Sequence, residues 1–179
     1  NDHTVQIQYN EMTSQWILIE KQYNVPTTLT TRRSDDVRIM LAFPQGEETS
    51  VQQPIFAYLP LRSYGFRFIV QANFAVPSSR EAIDCESDWN QWIITVLPDL
   101  FVKAFEYLGE DLFHFLPLPG EVVYPFSGAA RKILSRMKQT QCIRLPSGKY
   151  VRPTSVVYHP HCSAFISSER LYDALEKYW

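Results

Sequence analysis

Glycine is scarce: six residues scattered through 179 cannot build a phosphate-binding loop, and neither Gly-x-Gly-x-x-Gly nor Gly-x-x-x-x-Gly-Lys-Ser/Thr occurs. No Gly-x-Ser-x-Gly elbow and no His-Glu-x-x-His pair is present, so the chain carries no recognisable catalytic equipment of its own. Three irregularly spaced cysteines do not make a disulfide framework, which points to a reducing compartment, the cytoplasm or nucleus. No apolar run reaches the roughly 18 residues that would span a bilayer, and no signal region opens the chain, so no membrane partner is expected. A concentrated basic field is missing too. Net charge is −2 with both signs interspersed, and Arg32-Arg33 and the Arg131, Lys132, Arg136, Lys138 group are too small to predict nucleic-acid binding. The second group reads as a solvated helix face.

What is present is a core. Hydrophobic residues make up 45% of the chain and aromatics 14%, enough to fold, with no low-complexity tract. With Asn1 in place of an initiating Met and Trp179 inside an unfinished helical pattern, the chain reads as an internal segment of a longer intracellular protein.

Residues 4–9 and 15–20 flank a polar turn and predict a half-buried hairpin, with Val5, Ile7 and Tyr9 alternating inward. Strands are expected over 37–43 and 55–61, separated by a polar loop. Residues 66–76 carry the sharpest β pattern. Phe66, Phe68, Val70, Ala72, Phe74 and Val76 fall on one face, with Arg67, Gln71 and Asn73 on the other. Pro77-Ser78-Ser79 should end that strand and offer caps to a following helix.

From Trp89 the period changes. Trp89, Trp92, Ile93, Val96, Leu97, Leu100, Phe101, Ala104, Phe105 and Leu108 form one apolar stripe of a long helix. Pro98 predicts a kink or a brief break within it, and Gly109 a C-terminal stop. A second helix is expected over 127–139, a hairpin over 142–158 around Pro146-Ser147-Gly148, and a last helix from about Ser168. This order predicts α+β: a mixed or antiparallel sheet against a long kinked helix over 1–110, then a small helix–hairpin–helix part over 111–179.

Two chemical candidates read as inert. Cys142, His159, His161 and Cys162 could meet around a zinc ion, but their spacing fits neither Cys-x-x-Cys nor His-x(3–5)-His. A buried Cys142 with loop histidines is preferred, and no metal site is assigned. Cys85 lies between Asp84 and Glu86, which oppose thiolate formation.

Residues 54–105 stand out as a unit: Pro-Ile-Phe-Ala-Tyr-Leu-Pro-Leu-Arg-Ser-Tyr-Gly at 54–65, Phe-Ala-Val-Pro-Ser-Ser-Arg-Glu-Ala-Ile at 74–83, and Ser-Asp-Trp-Asn-Gln-Trp at 87–92. This run resembles the segment that follows the Hsp-type ATP-binding domain in the sacsin and NO VEIN-like proteins, whose nucleotide domain is of the GHKL type. Gly148-Lys149-Tyr150-Val151 with Pro153 and Ser155-Val156-Val157 is similar to the same group, less specifically. The resemblance implies a chaperone-like middle domain. It also implies ATP and magnesium in the parent protein, no cofactor in this segment, and an upstream ATP-binding domain of the same chain as partner, besides unspecified protein clients.

The Ser79-Arg80-Glu81 step is similar to one in the heat-shock protein ninety family, where the arginine reaches the nucleotide's terminal phosphate. Carried over, Arg80 becomes a phosphate sensor, with Ser79 capping a helix start and Glu81 holding the arginine or favouring the helix N-terminus. From spacing alone, Arg80 pairs with Asp84 on an exposed first helical turn. The ATP site of such enzymes needs an Asn-bearing acidic helix and an Asp-x-Gly-x-Gly loop, and neither occurs here. A non-catalytic protein-interaction scaffold with a vestigial ATPase architecture is therefore the alternative. Arg62, Tyr64, Gly65, Asn73 and Trp89 read as turn and packing residues, and Gly65 as a position needing an unusual backbone angle. The aromatics at 66, 68, 74, 89 and 92 read as core.

Overall fold

The computed structural model describes residues 3–9, 12–29, 36–46, 50–118, 120–145 and 147–156. The chain divides into two compact units, Asn1–Arg136 and Met137–Trp179. The first is α+β, built on a six-stranded mixed sheet with strand order β1-β2-β3-β6-β4-β5. The strands are β1 (Thr4–Tyr9), β2 (Met12–Asn24), β3 (Asp36–Pro44), β4 (Pro54–Ala57), β5 (Leu59–Ser63) and β6 (Ile69–Gln71). Only the β4–β6 pair is parallel.

The central strand β3 explains the core. Ile39, Leu41 and Phe43 project to one face and are fully buried. Phe43 meets Phe68 and Phe115 at 5.1 Å between ring centroids and Phe101 at 6.0 Å, while Phe68 meets Phe101 at 5.2 Å. A second cluster surrounds Phe126, with Tyr64 at 4.9 Å, Phe66 at 5.6 Å and Phe74 at 6.0 Å. Each such pair contributes about 0.5–1.5 kcal/mol beyond area burial, so the two clusters lock sheet and helix together.

The helical layer is one bent run. α1 (Asp88–Lys103) is followed by α2 (Phe105–Leu108) and a 3-10 turn over Gly109–Phe115. Of the expected stripe, Trp89, Ile93, Leu97, Leu100, Phe101, Ala104 and Leu108 are buried. Pro98 does not break α1; the interruption falls at Ala104, whose N–H is shared between the carbonyls of Leu100 and Phe101. Proline deletes a single helical hydrogen bond, and burial of Pro98 between Leu97 and Leu100 holds the helix through that loss. Gly109, at φ 57°, ends the α-helical geometry as expected. A third helix, α3, spans Ser127–Gln139.

Three strand expectations need correction. The segment 55–61 is two strands, because Tyr58 takes φ 65° and turns β4 back on β5. The alternation over 66–76 buries Phe66, Phe68, Val70, Ala72 and Phe74, yet only Ile69–Gln71 joins a ladder. The Ala72 N–H still donates to the Phe56 carbonyl of β4 at 3.2 Å; beyond it helix side chains take part, the Trp89 indole N–H donating to the Asn73 carbonyl at 2.7 Å and Asn90 holding Ala75. Period-two burial thus persists without a neighbouring strand. At the far edge, Val5 and Ile7 of β1 are exposed rather than half-buried, because nothing among the described residues covers that strand.

Gly65 does need its backbone angle, φ 100°. It also allows a close approach, since a Cβ there would collide with the Glu121 carbonyl and lie 3.0 Å from the Val122 Cα. The segment after the 3-10 turn docks at this spot. Val123 donates its N–H to the Tyr64 carbonyl at 3.0 Å, and Arg67 reaches the Leu116 carbonyl at 2.7 Å and Glu121 at 3.3 Å.

In the second unit, β7 (Ile143–Arg144) pairs with β8 (Tyr150–Val151), much less than the expected hairpin over 142–158. Cys142 is buried, and burial pushes its thiol pKa up. His159, His161, Cys162 and the expected last helix lie outside the described residues. Among the described residues no cluster of His, Cys, Asp and Glu could hold a metal, and no helix is long and apolar enough to cross a membrane.

Candidate functional site

The segment between β6 and α1 carries the three candidate residues, and it is a loop rather than a helix start. α1 begins at Asp88 with Ser87 as its N-cap, so Ser79 caps nothing and Glu81 lies far from the helix N-terminus. Pro77-Ser78-Ser79-Arg80 forms a turn in which the Arg80 N–H donates to the Pro77 carbonyl at 3.0 Å. Arg80 itself adopts φ 52°, the left-handed region that costs a residue bearing a Cβ roughly 1–2 kcal/mol. Backbone strain of this kind persists only where surrounding contacts over-determine it.

Such contacts surround the loop. Asp84 donates its N–H to the Ala75 carbonyl at 2.9 Å, closing the loop at its neck. The Ile83 N–H donates to the Tyr64 hydroxyl at 3.1 Å, and the Arg62 N–H to the Glu81 carbonyl at 3.3 Å, which ties one limb to β5 and the residue after it. Asn90, on the first turn of α1, is completely buried. Its amide nitrogen donates to the Ala75 carbonyl at 2.7 Å and the Asp84 carbonyl at 2.8 Å, and its oxygen accepts from the Ala75 N–H at 2.8 Å. The Gln91 amide adds a bond to the Cys85 carbonyl at 2.8 Å.

At the tip, Pro77, Ser78, Ser79, Arg80 and Glu81 are all exposed. Among the described residues no ion pair or side-chain hydrogen bond holds the Arg80 guanidinium. The spacing-based pair with Asp84 does not form: without a helix, positions 80 and 84 do not share a face, and the Asp84 carboxylate accepts from the Glu86 N–H instead. Nor does Glu81 grip Arg80. Chemically the loop presents an exposed cation on a short, closed hairpin of backbone, and a second guanidinium, that of Arg62, whose backbone N–H bonds the Glu81 carbonyl, stacks over the Tyr64 ring at 4.6 Å.

Two residues near the loop and sheet edge were not singled out by the sequence. Asn90 is a polar residue on the buried face shared with Ile93, Ile94 and Leu97, and a polar side chain at a core position of an apolar helix is the signal that could have found it. Tyr58, three-quarters exposed in left-handed backbone, had no signal, because its conformation is set by the β4–β5 reversal. It helps line an open depression of about 550 Å³ with Asp36, Arg38, Met40, Gln71 and Asn73, to which Arg80 does not contribute. Elsewhere, burial pushes the Tyr23 phenol above its ordinary value, against the opposing pull of the Arg136 cation.

The first unit is thus an α+β module that displays a strained, arginine-tipped loop from the junction of sheet and helix. Protein NO VEIN of Arabidopsis thaliana is 39% identical to the chain over 122 residues, an alignment that covers 60% of this chain and 4% of that protein. Over the matched stretch the chain is a NO VEIN-like sequence, and it spans only a small fraction of that relative's length. No family model and no solved structure matches it.

Proposed function

We propose that this chain is a middle-domain-like module of a larger NO VEIN-type GHKL ATPase, and that Arg80 reaches the terminal phosphate of ATP held by an upstream domain of the same protein. The observation that carries the reading is an exposed arginine in left-handed backbone, without an acidic partner among the described residues, on a loop closed at its neck. A structural arginine would be paired or buried; this one is exposed at the tip of a loop tied by hydrogen bonds at its neck. Phosphoryl transfer develops charge on equatorial oxygens, and a planar guanidinium delivered from another domain stabilises it with two parallel donors. Such residues contribute factors of roughly 10³–10⁵ in some phosphoryl-transfer systems. ATP and magnesium would be held by the upstream domain, and Arg80 would couple nucleotide state to closure between the two.

The test is ATP turnover by a longer protein that includes the upstream domain, with Arg80→Ala and Arg80→Lys. A loss of about 100-fold or more with Ala, only partly restored by Lys, is expected, since lysine keeps the charge but not the fork. Turnover unchanged by Arg80→Ala removes the residue from the mechanism and leaves the chain a non-catalytic interaction scaffold. The 179-residue chain alone is expected to show no ATP binding by calorimetry, and micromolar binding would place the nucleotide site here instead.

A further inference from the structure

We infer that Asn90 is a positioning residue for Arg80: its buried carboxamide stands in for a missing β-strand and sets the neck of the arginine loop. The inference rests on the proposed role of Arg80, and its structural half stands apart from that role. Beyond Ala72, whose N–H donates to the Phe56 carbonyl of β4 at 3.2 Å, the run that leads into the loop has no strand partner among the described residues. Asn90 supplies one. It offers Ala75 an acceptor and a donor side by side, as the peptide group of a neighbouring strand would, and its second amide hydrogen spans the neck to Asp84. Side chains on a helix tilt toward its N-terminus, so a residue on the first turn of α1 points back at the incoming loop.

The chemistry is specific to a carboxamide. Ala75 presents both an N–H and a carbonyl, and Asp84 presents a carbonyl, so the group facing them must accept once and donate twice. Aspartate in its ionised form accepts only, serine cannot span the neck, and alanine leaves the Ala75 N–H without its acceptor and takes one donor from each of the Ala75 and Asp84 carbonyls. Because Ala75 and Asp84 also bond each other directly, the Asn90 side chain closes a three-way knot. The tip beyond this knot is where Arg80 holds its strained φ of 52°. Loosening the neck lets the tip relax to ordinary backbone and swings the guanidinium away.

Two measurements separate positioning from plain stability and from failure of the ATPase reading. In the chain itself, Asn90→Ala should speed hydrogen exchange at the Ala75, Ile83 and Asp84 amides at least tenfold while the β3 amides keep their protection; unchanged exchange at those three amides overturns the inference. In the longer protein, Asn90→Asp should lower kcat about tenfold at neutral pH with KM little changed. The loss should shrink in mildly acidic solution, where burial keeps the new carboxyl protonated and able to donate. In an Arg80→Ala background the same change should cost nothing further, because both act through one guanidinium. Losses that multiply, or a flat pH response, mean that Asn90 merely stabilises the fold and sink its positioning role. If Arg80→Ala alone leaves turnover intact, the proposed function fails, and the exchange experiment decides alone whether Asn90 sets the loop.

Discussion

The aromatic heart of the first unit and the arginine loop sit on the same elements yet are held in opposite ways. Phe43, Phe68, Phe101 and Phe115 interlock through many weak contacts, none of which is decisive. The loop 75–84 buries little at its tip and depends on a few directional bonds from Asn90, Tyr64 and its own neck. Packing of the first kind spreads damage and tolerates it in part. Bonding of the second kind is brittle at single atoms but fixes geometry more closely.

The contrast can be broken from either side. The largest effect is expected from Phe101→Ala, which opens a cavity between Phe43 and Phe68 and should cost about 3–5 kcal/mol in urea unfolding. A cost under about 1 kcal/mol would mean that the helix does not seal that face. Next is the loop tip. Arg80→Gly should leave the protein about 1 kcal/mol more stable than Arg80→Ala, since glycine takes left-handed backbone freely and alanine keeps the clash. Equal stabilities would show that the tip is not strained in solution.

The smallest effect concerns Tyr23, whose hydroxyl is buried without a hydrogen-bond partner among the described residues. Its folded pKa is raised above the ordinary 10.0, so the folded state keeps the phenol proton after the unfolded chain has released it. Stability from this group is therefore complete below pH 10.0 and declines as pH rises beyond it. Tyr23→Phe should change stability by no more than about 1 kcal/mol at neutral pH and flatten that alkaline decline. A steeper decline in the variant would reverse the assigned direction.

Much of this was legible along the chain because burial imposes a period. The stripe from Trp89 to Leu108 named the helix face correctly, and the alternation from Phe66 to Phe74 named the buried side of that segment. The same alternation overstated β6, since a period of two reports which side is dry and not what pairs with the backbone. At Pro98 the break offered beside a kink does not occur: the deleted hydrogen bond is a local cost, and the packing that offsets it is not local. The arginine candidate was visible through the Ser79-Arg80-Glu81 step, but its setting was misread as a helix start because Ser-Ser after Pro77 looks like a cap. The helix waits until Asp88, where the buried Trp89 and Asn90 can reach back to Asn73, Ala75 and Asp84.

Sequence by itself determined the α+β character and the apolar faces, because these follow from side-chain type and spacing. Tertiary structure decided where the ladder stops, how Tyr58 and Arg80 come to left-handed backbone, and why Asn90 lies in the core. Those features arise where hydrogen-bond partners far apart in the chain are matched, and only the folded arrangement says which donor meets which acceptor.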